Sequence, residues 1–337
     1  MKKLTVGIAG VGRIGKIHLE NLARKFSQVT VKTAVDAMEA GREYARSLGV
    51  ENVTDNIDDL INDPEIDAVI VCSPTDTHAE YTMAAARAGK HVFCEKPLDL
   101  SLDTVKEVLA VVEEAGVKLM IGFNRRFDGN FMKIRELVEA GKVGEPHILK
   151  ITSRDPGPPP VSYVKVSGGM FMDMTIHDFD MARFIVGSEV KEVYATAGCM
   201  VDPEIGEAGD VDTALVTLTF ENGAMGVIDN SRKAVYGYDQ RVEVFGTEGM
   251  ANTDNNHYDN HRFYGAGGIN AALPLNFFMD RYIDAYYNEM EAFVTALEKG
   301  EDMPVSGKDG IMSMAIGLAA KKSVEEKRPV AVSEILG

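Results

Sequence analysis

Positive charge is scarce in this chain. Its 337 residues hold 35 Lys and Arg against 52 Asp and Glu, a formal net charge of −17. Such a surface repels phosphate backbones, and no local Lys/Arg run offers an exception, so nucleic acid is excluded as a partner. Cysteine is equally sparse. Cys72, Cys94 and Cys199 are scattered without C-x-x-C spacing, which suits free buried thiols in a reducing compartment and leads us to expect a cytoplasmic protein. No apolar run approaches the length of a membrane span, so no membrane is expected. The opening M-K-K-L-T-V-G-I-A-G reaches Gly10, Gly12 and Arg13 soon after its apolar run. It reads as a first strand rather than a signal peptide. Internal repeats are missing too, and the one biased segment, Asp155 to Pro160 (D-P-G-P-P-P), reads as a stiff extended loop.

What is present is globular in composition, 45% hydrophobic and 26% charged, and long enough for two domains. Up to about residue 123, short apolar runs from Leu4, Val29, Asp67, His91 and Lys118 alternate with helical patterns. That rhythm predicts a parallel sheet covered on both faces. Beyond about residue 145, the runs His147 to Ser153, Val190 to Thr196, Val211 to Phe220 and Ala224 to Asp229 alternate apolar and polar residues. They predict an antiparallel sheet with unlike faces, and E-N-G from Glu221 to Gly223 marks a hairpin within it. The expected architecture is α/β followed by α+β, in three segments: 1–123, 124–306, and a closing helical segment, 307–337, packing back near the first domain.

G-V-G-R-I-G, from Gly10 to Gly15, follows the first strand and opens a helical pattern. In that context Gly10, Gly12, Arg13, Ile14 and Gly15 read as a dinucleotide fingerprint, whose glycines let the backbone approach a pyrophosphate at a helix N-terminus. Asp36 closes the second strand where an acidic side chain can accept hydrogen bonds from the adenosine ribose. Its charge repels a 2′-phosphate, and Ala37 and Met38 add no cation, so NAD is expected over NADP. Arg13, within the fingerprint, can swing towards a ribose phosphate and so weighs against that preference, but as a 2′-phosphate ligand it is set aside in favour of a solvated residue at the helix start. Ser73, Pro74 and Thr75, with His78 beyond them, follow a third strand at the carboxyl edge of the sheet, where ligands of such sheets bind. Glu95 and Lys96 end the next strand at the same edge.

Asp173 and His177 stand four residues apart in G-G-M-F-M-D-M-T-I-H-D-F-D. On a single helix over 170–186, with Gly187 as its stop, they share a face. The spacing describes a solvated ion pair as well as a carboxylate that orients a catalytic imidazole. A third feature, H-Y-D-N-H from His257 to His261, has metal-like spacing but lacks a third ligand and sits in a polar stretch. No metal is expected.

The fingerprint, E-K-P at Glu95 to Pro97, the antiparallel second domain and the D-x-x-x-H of Asp173 and His177 together resemble the glucose–fructose oxidoreductase/inositol dehydrogenase/rhizopine catabolism family. The resemblance covers nearly the whole chain. Gly122 to Asp128, Ile151 to Pro156, Ser167 to Gly169, Asp173 to Arg183 and Ala234 to Arg241 are similar to the bacterial inositol-oxidising members. The resemblance implies a Rossmann domain, NAD as cofactor and a polyol, myo-inositol, as substrate, oxidised at C2 to the ketone. It implies Lys96, Asp173 and His177 as catalytic residues, also contacting substrate, with Arg126, Asp155 and Tyr236 lining the polyol pocket. A homotetramer is implied, with a dimer as the alternative. Another cyclic polyol or an aldose as substrate, and a non-catalytic NAD-binding regulator, are the competing readings; the segment 251–274 matches the family least.

Overall fold

The computed structural model describes residues 3–337. It divides into two compact units. One takes Asn124 and the described chain before it together with Asp284–Met312; the other takes Arg125–Ile283 and Ser313–Gly337. This differs from the contiguous segments expected above, because 284–312 rejoins the first unit. From Ser313 onward the helix Gly307–Glu326 belongs with the second unit, where a Cβ on Gly317 would lie 3.0 Å from the Met172 sulfur.

The first unit carries β1 (Leu4–Ala9), β2 (Val29–Val35), β3 (Asn52–Thr54), β4 (Ala68–Val71), β5 (His91–Glu95) and β6 (Leu119–Gly122). They form one parallel sheet in the order β3-β2-β1-β4-β5-β6. Every residue of β4 is 0% exposed, the signature of a strand covered on both faces. Burying each of its Val and Ile side chains contributes about 1.5–3 kcal/mol. Covering helices obey local rules: Leu102–Ala115 starts at Ser101, whose side chain accepts from the Thr104 amide, and stops at Gly116 with φ +66°, a left-handed conformation that glycine adopts without a Cβ penalty. The strand order reverses beside β1, so the loops after β1 and β4 diverge and open a crevice at the carboxyl edge.

The second unit is built on β7 (Pro146–Arg154), β8 (Val190–Gly198), β9 (Thr213–Phe220), β10 (Met225–Ser231), β11 (Asp239–Gly246) and β12 (Met250–Asn252), with β15 (Val330–Ala331) at one edge. Their order is β12-β11-β7-β10-β9-β8-β15. All pairs are antiparallel except β7 with β10. The E-N-G hairpin forms as expected between β9 and β10: the Phe220 amide donates to the Ala224 carbonyl at 2.9 Å, and Gly223 turns the chain with φ +87°. Val216, Leu218, Phe220 and Ile228 face inward, whereas Leu215, Met225 and Phe245 stay exposed on the other face. A separate hairpin, β13 (Arg262–Gly265) with β14 (Gly268–Ala271), is exposed throughout and occupies part of the 251–274 segment. There His261 pairs with Asp259. Among the described residues, no helix is long and apolar enough to cross a membrane.

Candidate functional site

The glycine-rich turn after β1 does what its composition dictates. Gly10 has φ +94°, and a Cβ there would stand 2.4 Å from the Ser73 amide nitrogen; one on Gly15 would stand 2.0 Å from the Gly10 carbonyl oxygen. Both must be glycine. Gly12 differs: a Cβ would meet nothing within 4 Å, and this residue caps the helix Arg13–Lys25 without a side-chain bond. The open backbone at a helix start therefore fits a pyrophosphate. Asp36 braces the turn, its Oδ2 accepting from the Val11 amide at 2.6 Å and its Oδ1 from the Met38 amide at 2.7 Å. Each oxygen retains a further lone pair for a ribose hydroxyl.

Ser73 and Pro74 lead from β4 into the helix Thr75–Arg87, and Thr77 donates its hydroxyl to Ser73 Oγ at 2.6 Å. His78 is buried, with Nε2 2.8 Å from the Ser73 carbonyl oxygen and Nδ1 2.8 Å from the Pro97 carbonyl oxygen. Two carbonyl acceptors require two N–H donors, so the ring is an imidazolium. Burial opposes that charge, but the adjacent Cys94 and the two carbonyls outweigh it and push His78 up to about 9. This cation ties the loop after β4 to the chain just beyond Lys96. Lys96 itself is half-buried at the end of β5. Beside it, Glu95 accepts from His18 Nε2 at 2.8 Å, and Glu289 Oε1 lies 3.7 Å from the same nitrogen.

In the second unit the expected single helix over 170–186 is two, Met170–Asp173 and Ile176–Val186. The ladder changes step between them: the Thr175 amide donates five residues back to Met170, while those of His177 and Asp178 donate only three back. Thr175 is held there by its hydroxyl, which donates to Asn230 Oδ1 at 2.7 Å. Asp173 thus ends one helix and His177 begins the next, so a shared helical face no longer accounts for their placement. Burial does. From Met170 to Arg183, every residue is buried except Asp173 and His177.

Asp173 is one end of a polar chain. Its Oδ2 accepts from Arg232 Nη2 at 2.9 Å and its Oδ1 from the Tyr163 hydroxyl at 2.9 Å, while Arg232 Nη1 reaches Asp155 Oδ2 at 3.2 Å. Burial lifts the Asp155 carboxyl above its usual range, and Arg232 pulls against it. The structure thus joins Asp155 to Asp173. Arg126 is held bidentately by Asp180, at 2.8 and 2.6 Å. Tyr236 belongs to another polar group, donating to Asp239 Oδ2 at 2.6 Å and accepting from Arg154 Nη1 at 3.0 Å. A further polar group, next to the half-buried pair Asp173 and His177, is fully buried: Asp178 accepts from Arg125, 2.5 Å away, and from Asn230 at 2.9 Å. Arg232, Asp178, His18 and Glu289 are absent from the sequence-derived site, since a polar residue inside an apolar periodic run gives no sign of its partner.

Residues 4–123 match the model of an oxidoreductase family with an NAD-binding Rossmann fold, and residues 131–252 match the GFO/IDH/MocA C-terminal domain. The chain is 51% identical over 334 residues to the myo-inositol 2-dehydrogenase of Thermotoga maritima, covering 99% of this chain and 100% of that one. It is 46% identical over 328 residues to the inositol 2-dehydrogenase of Rhizobium meliloti, covering 97% and 98%. Among solved structures, the scyllo-inositol dehydrogenase of Lactobacillus casei with bound NAD(H) and scyllo-inositol superposes with a TM-score of 0.92 at 31% identity, covering 98% and 99%. The chain belongs to the GFO/IDH/MocA family of oxidoreductases, and its first unit is that family's NAD-binding Rossmann fold.

Proposed function

We propose that this protein is an NAD-dependent inositol 2-dehydrogenase that oxidises myo-inositol to the 2-ketone. The observation that carries the reading is that Asp173 and His177 alone are half-buried, and so partly open, in an otherwise buried stretch. A carboxylate and an imidazole left open there are an acid/base pair with access to a substrate. His177 takes the proton of the reacting hydroxyl, and Asp173 steadies the imidazolium that results. Lys96 donates to the same oxygen and stabilises its developing negative charge. The bound NAD supplies the hydride acceptor, at C4 of its nicotinamide. Gly10, Gly12, Arg13, Ile14, Gly15, Asp36, Ser73, Pro74, Thr75, His78 and Glu95 build its binding edge, and Asp36 favours it over NADP. Arg126, Asp155 and Tyr236 are assigned to the polyol, Asp155 through Arg232. Scyllo-inositol is the second reading, since the Lactobacillus casei protein named for it shares the whole fold.

We also assign a homotetrameric, cytoplasmic state. Phe245, Ile148 and Met225 are register partners across three adjacent strands, and all are exposed. An apolar row of that kind on an open sheet face suits a subunit contact. NADH formation with NAD or NADP and myo-, scyllo- or chiro-inositol or glucose tests the activity. Myo-inositol with NAD is the expected best pair; turnover of none of them, with NAD bound, defeats the proposal. A monomeric mass by light scattering defeats the tetramer.

A further inference from the structure

Glu289, on the helix Ile283–Lys299, is 0% exposed, and neither of its carboxylate oxygens has a hydrogen-bond partner. It points at two other titratable groups of the first unit. His18 Nε2 is 3.7 Å from Oε1, and Glu95 shares that same imidazole nitrogen at 2.8 Å. One ligand atom from each of the three lies within 4.8 Å of the others. The rings of Phe93 and Tyr286 stand edge-on to His18, and burial, together with the neighbouring Glu95 and Glu289, holds the Cys72 thiol well above its ordinary range. Glu95 reaches this place because β6 offers Gly122 opposite it, where a Cβ would crowd the carboxylate at 3.1 Å.

Two carboxylates buried this closely need a cation or a proton between them. Ligands bound to one metal ion at about 2.0–2.2 Å stand roughly 3.0–3.5 Å apart. The 2.8 Å from His18 to Glu95 is instead an ordinary N–H···O distance. That separation favours the proton.

We propose that Glu289 is a neutral carboxylic acid, and that His18 is a positioning residue for Lys96: His18 donates Nε2–H to the Glu95 carboxylate, fixing the strand end that carries the lysine, while the uncharged Glu289 adds no second buried anion beside that bond. Burial first, and the neighbouring Glu95 second, hold the Glu289 carboxyl well above the ordinary range. The positioning role rests on the function proposed above; the protonation of Glu289 does not.

The test uses the full-length enzyme with NAD bound. Infrared spectra at pH 8 should contain the carbonyl band of a protonated carboxylic acid that disappears in Glu289→Gln. Absence of that band from the wild type, or a stoichiometric metal in the purified protein that Glu289→Gln loses, overturns the proposal, and neither readout needs turnover. For positioning, Glu289→Gln should keep kcat within roughly twofold and leave the pH profile of kcat/KM in place. His18→Leu should lower kcat roughly tenfold or more and move that profile, with His18→Gln, which restores a donor, recovering most of the loss. Unchanged kcat and profile in His18→Leu, or no recovery in His18→Gln, removes the positioning role. A wild type inactive on every polyol while the infrared band is present counts against the dehydrogenase reading alone.

Discussion

Asp155 and Asp173 share a single guanidinium, that of Arg232, at 3.2 and 2.9 Å. Asp173 is therefore aimed by a residue that no catalytic motif contains. Replacing Arg232 with Met leaves two acids facing each other with no cation between them. Removing one partner of a buried pair costs about 3–5 kcal/mol, and since both carboxylates keep some exposure here we expect about 2–3 kcal/mol. Urea unfolding at pH 7 measures it. A loss below about 0.5 kcal/mol would show that the guanidinium does not hold the two acids together.

His177→Ala should lower kcat by roughly a hundredfold or more, the usual size of a general acid/base contribution. NAD affinity, measured by fluorescence titration, should stay within about threefold, because the substitution leaves every residue assigned to the cofactor edge in place. Full turnover in this variant would take His177 out of the mechanism.

Asp36→Ser should lower kcat/KM for NAD by about tenfold or more and narrow the preference over NADP, since the variant no longer places a charge against a 2′-phosphate. Two backbone amides, those of Val11 and Met38, lose their acceptor at the same time. Preference for NAD that survives the substitution intact would mean selection elsewhere in the loop.

His78 gives a pH signature in stability. Its ordinary value near 6.5 is pushed up to about 9 in the folded protein, so the native state binds the proton more tightly than the unfolded chain. The stabilisation is complete below about pH 6.5, fades as pH rises and is gone above about 9, a span worth on the order of 3 kcal/mol. Urea midpoints between pH 6 and 10 should fall more steeply in the wild type than in His78→Gln. Parallel profiles would mean that the buried ring is neutral.

The sequence made the first unit legible because its signals are local. A glycine that must adopt φ +94°, an Asp at a strand end and an apolar run of four residues each declare themselves within a few positions. β3 escaped notice, being three residues long and at least partly exposed. So did β11, β12 and β15, the last only two residues long. The break at Met174 and Thr175 was hidden for another reason. Both residues keep right-handed helical dihedrals, and the segment is apolar on nearly every side, so a shift in its period leaves no trace in the pattern. Pairs such as Arg232 with Asp155, 77 positions apart, are settled by sheet register, which one sequence does not reveal.

The chain crosses from one unit to the other three times, after Asn124, Ile283 and Met312. During synthesis the parallel-sheet unit therefore cannot be finished when its six strands have left the ribosome, because Glu289 and the helix bearing it arrive only after the whole of β7 to β14. Early folding of that unit has to proceed with His18 and Glu95 still open to water, and its last buried acid enters when most of the second unit is already made. A fragment ending at Asn124 would carry every dinucleotide motif and yet lack a piece of its own core.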